Sequence, residues 1–152
     1  MTDAKQIEDL LDLLDGRGSE TEWAAVKRLK ELLHDALPTY LLSAYRNARS
    51  WRSRSSFVFH AIPYARKHDD AVNLGMLAIF DRSKVVRYRA CMLLAISQKS
   101  SALASLREAE RAFMGTNSSD MSAAIDAIEH KNQDYFLDRA HTGNVKLSVN
   151  LL

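Results

Sequence analysis

Histidine, cysteine and paired acidic residues are the side chains of this sequence that could support catalysis or metal binding. The single cysteine, Cys91, excludes a zinc site built from several thiolates. No HExxH, GxSxG, GxxxxGK(S/T) or GxGxxG pattern occurs in the chain. Glu108 and Glu110 lie two positions apart and would point to different sides of a helix. The sequence therefore predicts a non-catalytic protein with no metal ion, no cofactor and no small-molecule substrate.

Two further polar groupings have both a functional and a structural interpretation. Asp126, His130 and Asp134 are spaced by four and could share one helical face as metal ligands, but polar residues near helix ends often do so by chance. His141 lies in the turn sequence DRAHTGN, where a side chain more often caps backbone groups than contacts a ligand. We favour the structural interpretation of both groupings.

Charge is distributed unevenly along the chain. The formal net charge of +2 combines a balance of −4 over residues 1–45, +8 over residues 46–99 and −2 over residues 100–152. The last four of the eight basic candidates in the middle block should lie at neighbouring helix ends, and stacking of the helices would bring them to one edge. The eight candidate partner-binding residues are, in chain order, Arg46, Arg49, Arg52, Arg54, Arg66, Lys67, Arg82 and Lys84.

This basic block has three interpretations. It could consist only of solvated loops, or it could face the phosphates of a nucleic acid or an acidic patch on a protein partner. Trp51, which stands among the arginines, could stack on a base, although a tryptophan that starts a helix is more often a core residue.

The stretch of residues 71–98 carries the clearest structural signal and predicts two helices packed against each other. Ser83 is a good N-cap, because its hydroxyl can accept a hydrogen bond from the first helical turn. The helix that follows is apolar around nearly its whole circumference, which is typical of a helix flanked on several sides. Cys91 lies within it and is expected to be a buried, unreactive thiol.

Arg87 falls on an apolar side of that helix, where a buried charge needs a partner, and Asp81 lies six residues earlier. The Asp-x5-Arg pattern across a helix–turn–helix, followed by VxxxA and LL, resembles the HEAT repeat. In that family such pairs form a ladder through the stacked helices, so the resemblance implies a structural Asp81–Arg87 ion pair. Arg54 precedes Arg87 by 33 residues, which suggests an internal repeat.

The remaining patterns predict the boundaries of further helices. Ser19 and Glu22 form a capping-box sequence, and Pro38 is suited to a first helical turn. Pro63 should kink or end a helix that begins near Trp51.

The end of the chain changes character. Residues 134–151 include a glycine-containing turn followed by strict alternation of apolar and polar side chains, which predicts a small β-hairpin. We therefore expect one all-α domain over residues 1–152, with helices over 1–131. It should be a short HEAT-like α-solenoid of about four helical hairpins, closed by the terminal β-hairpin.

The N-terminus is acidic and amphipathic and lacks the basic start and apolar core of a signal peptide, so we expect a cytoplasmic protein without membrane contact. In size and architecture the chain resembles bacterial immunity proteins, some of which use HEAT-like helices. This resemblance implies a protein-interaction module that binds a cognate toxin and blocks its active site. A nucleic-acid-binding HEAT-like protein, using the basic central surface, is the alternative.

Overall fold

The computed structural model describes residues 3–152 and consists of α-helices joined by short turns, four of which are 3₁₀-helical. The predicted all-α class is confirmed. The α-helices are α1 (Ala4–Asp12), α2 (Glu20–Leu33), α3 (Leu37–Asn47), α4 (Trp51–Ala61), α5 (Asp69–Ala78), α6 (Lys84–Ser97), α7 (Leu103–Ala112) and α8 (Ser118–Glu129).

The helix boundaries follow from local chemistry. Serine hydroxyls cap three helices: Ser19 accepts from the Glu22 N–H, Ser50 from the Arg52 N–H and Ser83 from the Val86 N–H. The predicted caps at Ser19 and Ser83 are therefore confirmed.

The two prolines also lie where the sequence predicted boundaries. Pro38 is the second residue of α3, where its missing N–H has no helical partner to lose. Pro63 follows α4 in a single 3₁₀ turn (Ile62–Tyr64), so the proline ends this helix instead of kinking it.

The helices pack as successive antiparallel pairs: α1 with α2, α3 with α4, α5 with α6 and α7 with α8. The last three pairs touch mainly through equivalent helices, because α3 packs on α5 and α4 packs on α6, which in turn packs on α8. Helix α6 lies at the centre and buries residues on almost every side, as its apolar circumference predicted. Cys91, within α6, is fully buried, and burial raises the pKa of its thiol.

Gly75 allows α5 and α6 to approach closely. A Cβ at this position would lie 2.8 Å from Leu93 Cδ2 and 2.9 Å from Leu94 Cδ2, both of which belong to fully buried side chains. The glycine therefore sets how closely this helix pair can pack.

The predicted terminal β-hairpin is wrong, since no strand forms within residues 3–152. The first residues of the predicted hairpin instead belong to a short 3₁₀ helix (Gln133–Phe136). The turn after it is held by Asp138, whose carboxylate accepts hydrogen bonds from the N–H and hydroxyl of Thr142 and from the N–H of Gly143. The alternating segment therefore has no second strand to pair with.

The alternation of that segment nevertheless has a structural role. Residues 145–152 cross the helices without regular secondary structure, with Leu147 buried and Val149 and Leu151 packed against the core. Leu147 is fixed by both backbone groups: its N–H donates to Asp134 Oδ1 (2.8 Å), and its carbonyl accepts from Gln133 Nε2 (2.9 Å). The N–H of Leu152 donates to the Pro63 carbonyl (2.9 Å), so this C-terminal segment reaches from the end of α8 to the end of α4.

Candidate interaction surface

The connections within the helical pairs lie at one end of the molecule, because the last three pairs pack with their equivalent helices side by side and Gly16 of the first connection lies against the Arg52 backbone. We call this end the hairpin edge, formed by residues 13–19, 48–50, 79–83 and 113–117. The connections between pairs form the opposite edge. Two sequence predictions, the ion pair and the basic cluster, concern residues at these edges.

A buried polar network lies at the centre of the hairpin edge. Arg54 binds the Asp81 carboxylate through two hydrogen bonds, from Nε to Oδ2 (2.8 Å) and from Nη2 to Oδ1 (3.1 Å). Tyr45 donates its hydroxyl to Asp81 Oδ2 (2.5 Å), and the Ser83 N–H donates to Oδ1 (2.9 Å). Only 6% of Arg54 and 7% of Asp81 is exposed, so this ion pair links α4 of one pair to the connection of the next.

The network holds Asp81 in its charged form. Burial by itself would raise the pKa of Asp81, but the hydrogen bonds from Arg54, Tyr45 and the Ser83 N–H outweigh it and lower the pKa below its usual range. Burial and the neighbouring carboxylate raise the pKa of the Tyr45 hydroxyl, which therefore stays protonated and acts as a donor.

The predicted side-chain ion pair between Asp81 and Arg87 is wrong. Arg87 is buried as expected, but its Nη1 donates to the main-chain carbonyl of Asp81 (2.7 Å) and its Nε donates to Asn117 Oδ1 (2.8 Å). The six-residue spacing does bring Arg87 to the connection that contains Asp81, as predicted. The carboxylate there is already bound by Arg54, so Arg87 reaches instead to the connection of the next pair.

Arg54 and Arg87 make equivalent contacts, which agrees with their 33-residue spacing. Arg54 Nη1 donates to the Arg49 carbonyl (2.7 Å) before its own helix, just as Arg87 Nη1 donates to the Asp81 carbonyl (2.7 Å). Each arginine also binds an acceptor in the following connection, Asp81 or Asn117. The second acceptor is a neutral amide, so only the first link is an ion pair.

The structure separates the eight basic candidates into three groups. Arg54 lies in the buried network, so the prediction that it belongs to a partner-binding surface is wrong. Arg66 and Lys67 lie at the opposite edge, at the other end of α5 from Arg82 and Lys84, so the prediction that these four residues meet at one edge is also wrong. Five exposed candidates remain together at the hairpin edge: Arg46, Arg49, Arg52, Arg82 and Lys84.

Two of these cations flank a shallow groove of about 510 Å³ at the hairpin edge. Arg46 and Arg82 line it together with Leu77 and Phe80, whose side chains are 41% and 39% exposed. Tyr45, Arg54 and Asp81 of the buried network also line this groove. Sequence reasoning missed the two apolar residues, because a leucine and a phenylalanine at the end of an apolar helix resemble core residues.

Trp51 is 43% exposed, so the expectation of a core residue is wrong. The Arg52 guanidinium lies 5.1 Å from the centre of the Trp51 ring, which places an aromatic surface and a cation side by side at the hairpin edge.

A second buried network, absent from the sequence predictions, joins α2 to α4. Glu22 Oε2 accepts from the Ser56 hydroxyl (2.8 Å) and from His60 Nε2 (2.8 Å), while Oε1 accepts from the Gly18 N–H (3.0 Å). The predicted capping box is thus half formed, since Glu22 binds the Gly18 N–H instead of that of Ser19. The capping pattern accounts for the position of Glu22 but gives no sign of its partners 34 and 38 residues away.

The pKa values of this network fix its charge state. Burial alone would raise the pKa of Glu22, but the hydrogen bonds from His60, the Gly18 N–H and Ser56 outweigh it and lower the pKa to about 2. Burial lowers the pKa of His60 despite the carboxylate beside it, so a neutral imidazole donates to a charged Glu22. The serine and histidine both bind the carboxylate and not each other, and each is 3% exposed. The arrangement is therefore structural and lacks a nucleophile–base contact.

The grouping around Asp126 differs from the predicted face. Asp126 contacts His130 Nδ1 (2.8 Å) and His141 Nε2 (2.5 Å), whereas Asp134 binds the C-terminal segment through Leu147. The His141 ring stacks on Tyr135 with the ring centres 3.8 Å apart. Within residues 3–152, no group of three or more histidine, cysteine or acidic side chains is placed to hold a metal ion.

No helix in the described part of the chain is long and apolar enough to cross a membrane. No family model, curated protein or solved structure matches this chain.

Proposed function

We propose that this protein is a non-catalytic interaction module that binds and occludes an acidic surface of a macromolecular partner through its hairpin edge. The observation that carries the proposal is the groove that exposed Leu77 and Phe80 line together with the exposed Arg46 and Arg82. We also propose that the helical pairs form a short HEAT-like stack, which the equivalent packing of the last three pairs supports.

The groove has the anatomy of a protein-binding surface. Apolar and aromatic side chains at the centre of an interface supply most of the binding energy, while charges at its margin steer the partner and set its orientation. The bidentate Arg54–Asp81 pair and the Tyr45 hydroxyl fix the floor of the groove. A surface that is already ordered loses little conformational entropy when a partner binds.

A bacterial toxin is the partner class that the size and helical architecture of the chain favour. In that case the module acts as an immunity protein: the hairpin edge covers the active site of the toxin, and the exposed cations match acidic groups around it. The proposal then requires a tight, stoichiometric complex, because a toxin that dissociates readily is not neutralised.

A nucleic-acid-binding function is the second candidate. Five exposed basic residues at one edge and the exposed Trp51–Arg52 pair favour it, since cations neutralise phosphates and aromatic rings stack on bases. A mobility-shift titration at two salt concentrations tests this candidate, because phosphate-driven binding must weaken steeply with salt. The absence of a shift at low salt eliminates it.

Affinity purification with a matched pair of variants tests the protein-binding proposal. The tagged protein, the variant Phe80→Ser/Arg82→Glu and the control Lys67→Glu are each used to isolate partners from cells of the source organism. We expect one stoichiometric protein partner that the wild type and the control retain and that the hairpin-edge variant loses. Equal recovery with all three proteins, or no stoichiometric partner with any of them, would contradict the proposal.

A further inference from the structure

A second open groove lies on the side of the molecule formed by the second helices of the pairs. It comprises two contiguous cavities, of about 230 Å³ and 300 Å³, which share Trp23 and Phe59. Helix α4 forms the floor, with α2 on one side and Arg89 and Met92 of α6 on the other. We call it the α2–α6 groove, and it is separate from the hairpin-edge groove, with which it shares no lining residue.

We propose that the α2–α6 groove binds an extended peptide segment of a protein partner in which acidic and apolar side chains alternate. The groove runs from Arg17 to Lys30 and is about 15–20 Å long, because α2 spans about 15 Å from Glu20 to Lys30 at 1.5 Å per residue and Arg17 lies three residues before the helix. An extended peptide rises about 3.3 Å per residue, so the groove holds about five or six residues.

The exposed charge of the groove is positive, which defines the acidic part of the occupant. Arg17 and Arg89 line one half of the groove, and Lys30 lines the other. Within residues 3–152, no carboxylate lies within salt-bridge distance of Arg89 or Lys30, and Arg17 has only a long contact of 3.9 Å to Asp15. The one acidic lining residue, Glu22, is 3% exposed, and its oxygens are bound by the protein itself.

The apolar residues that line the groove indicate that the bound peptide also carries apolar side chains. Trp23 is 48% exposed and meets Phe59 edge-on at 5.9 Å between ring centres, while the Arg89 guanidinium lies 4.5 Å from the centre of the Phe59 ring. Ile62, Pro63 and Met92 line the half that contains Lys30. Tryptophan is enriched among the residues that contribute most to binding at protein interfaces, so Trp23 is the expected anchor point.

The protein's own C-terminal segment shows how such a peptide lies on this side of the molecule. It buries alternate side chains, which is the pattern of an extended peptide lying on a surface, and Val149 and Leu152 line the groove. The open part continues from this segment towards α2. Three cations over about 15–20 Å suit a peptide with alternating acidic residues better than a nucleic-acid strand, whose charge density is higher and whose bases would find aliphatic walls at Ile62 and Met92.

Fluorescence anisotropy with short labelled probes tests this inference on the full-length protein. The probes are a capped hexapeptide of alternating glutamate and leucine, matched peptides with glutamine or lysine in place of glutamate, and a hexathymidine oligonucleotide. We expect the glutamate peptide to bind at least about tenfold more tightly than the other three, with an affinity that falls as salt increases.

Variants locate the binding site and separate this inference from the proposed function. Trp23→Ala should weaken binding of the glutamate peptide about tenfold, and Arg89→Gln should weaken it several-fold. Trp51→Ala, which removes the half-exposed tryptophan of the hairpin edge, and Arg82→Glu should leave peptide binding unchanged. Circular dichroism confirms that each variant is folded.

Several results would overturn the inference. They are equal binding of the glutamine peptide, tighter binding of the oligonucleotide, no saturable binding of the glutamate peptide, or an effect of Trp51→Ala as large as that of Trp23→Ala. Retention of a cellular partner by the hairpin-edge variant would instead contradict only the proposed function.

Discussion

Arg54 and Arg87 show how single side chains determine the relation between helical pairs. Each guanidinium donates to a carbonyl just before its own helix and to an acceptor in the following connection. The two sites differ in charge, because Asp81 is a carboxylate and Asn117 an amide. The link made by Arg54 is therefore a buried ion pair, and removing either partner would leave the charge of the other buried and uncompensated.

Removing Arg54 tests the energetic weight of that ion pair. Arg54→Met should lower the free energy of unfolding by about 3–5 kcal/mol, because it leaves Asp81 charged and buried without its cation. The exposed Arg46 is a matched control, and Arg46→Met should change stability by no more than about 0.5 kcal/mol. Chemical denaturation at neutral pH measures both, and equal effects would contradict a structural role for the network.

The Glu22–His60 pair makes stability depend on pH. The folded pKa of Glu22 is about 2 against an ordinary value of 4.5, so its contribution is present above pH 4.5 and is lost as the pH falls towards 2. The folded pKa of His60 is also lowered from 6.5, so the unfolded chain takes up that proton first and stability begins to fall below pH 6.5. Both groups therefore destabilise the fold on acidification.

A substitution at His60 separates the loss of stability due to His60 from the loss due to Glu22. His60→Gln retains a donor for Glu22 but does not titrate, so its stability should lack the loss that the wild type shows just below pH 6.5. The loss below pH 4.5 should remain. Denaturation curves recorded across this pH range measure the difference, with His34→Gln, at an exposed histidine, as the control. A wild-type profile unchanged by His60→Gln would show that this histidine does not contribute.

The C-terminal segment is the element in which sequence pattern and structure agree least. Its period-two alternation predicted that Val145, Leu147 and Val149 share one face. Leu147 and Val149 do face the core, but Val145 is 40% exposed. The pattern could not identify the surface being covered, because alternation results from one buried face whether the neighbour is a strand or a helix. The preceding residues 133–136 form a helical turn, which left the segment without a strand partner.

The alternation gives a direct test of how this segment is held. Leu147→Ala should destabilise the protein by about 2 kcal/mol, because it leaves a cavity where a buried side chain contacted the helices. Val145→Ala removes a side chain that is 40% exposed and should cost no more than about 0.5 kcal/mol. Thermal unfolding measures both, and equal effects would mean that the segment is not seated as described.

Helices were more predictable than the contacts between them. Serine caps and prolines act within one or two turns, so Ser19, Ser83 and Pro63 gave correct boundaries from local sequence alone. The partner of Asp81 lies 27 residues earlier, and the partners of Glu22 lie more than 30 residues later. Spacing along one helix carries no information about such contacts, which explains why the ion pair was assigned to the wrong arginine.

Across the whole molecule, packing is strongest at the centre and weakest at α1. Helix α6 contacts α4, α5 and α8, whereas α1 packs mainly against α2 and buries only Ile7 along its length. A groove of about 670 Å³ separates α1 from α3 and α4. Opening of α1 should therefore expose little apolar surface.

Hydrogen exchange should reveal this difference in packing between α1 and α6. The amides of α1 should exchange fastest among the helices, and those of α6 should exchange only on global unfolding, because α6 is flanked on several sides. Exchange measured by mass spectrometry on the native protein gives the order directly. Equal protection of α1 and α6 would mean that the molecule opens as one cooperative unit.

The equivalence of the Arg54 and Arg87 links has a consequence for how such a chain can evolve. Each arginine binds a main-chain carbonyl before its own helix and a side-chain oxygen in the following connection, and the two arginines are 33 residues apart. Duplication of one such unit would supply both a new arginine and a new acceptor, so no buried cation would be stranded. We therefore expect that insertion or removal of one whole unit would leave the internal polar groups of the chain satisfied.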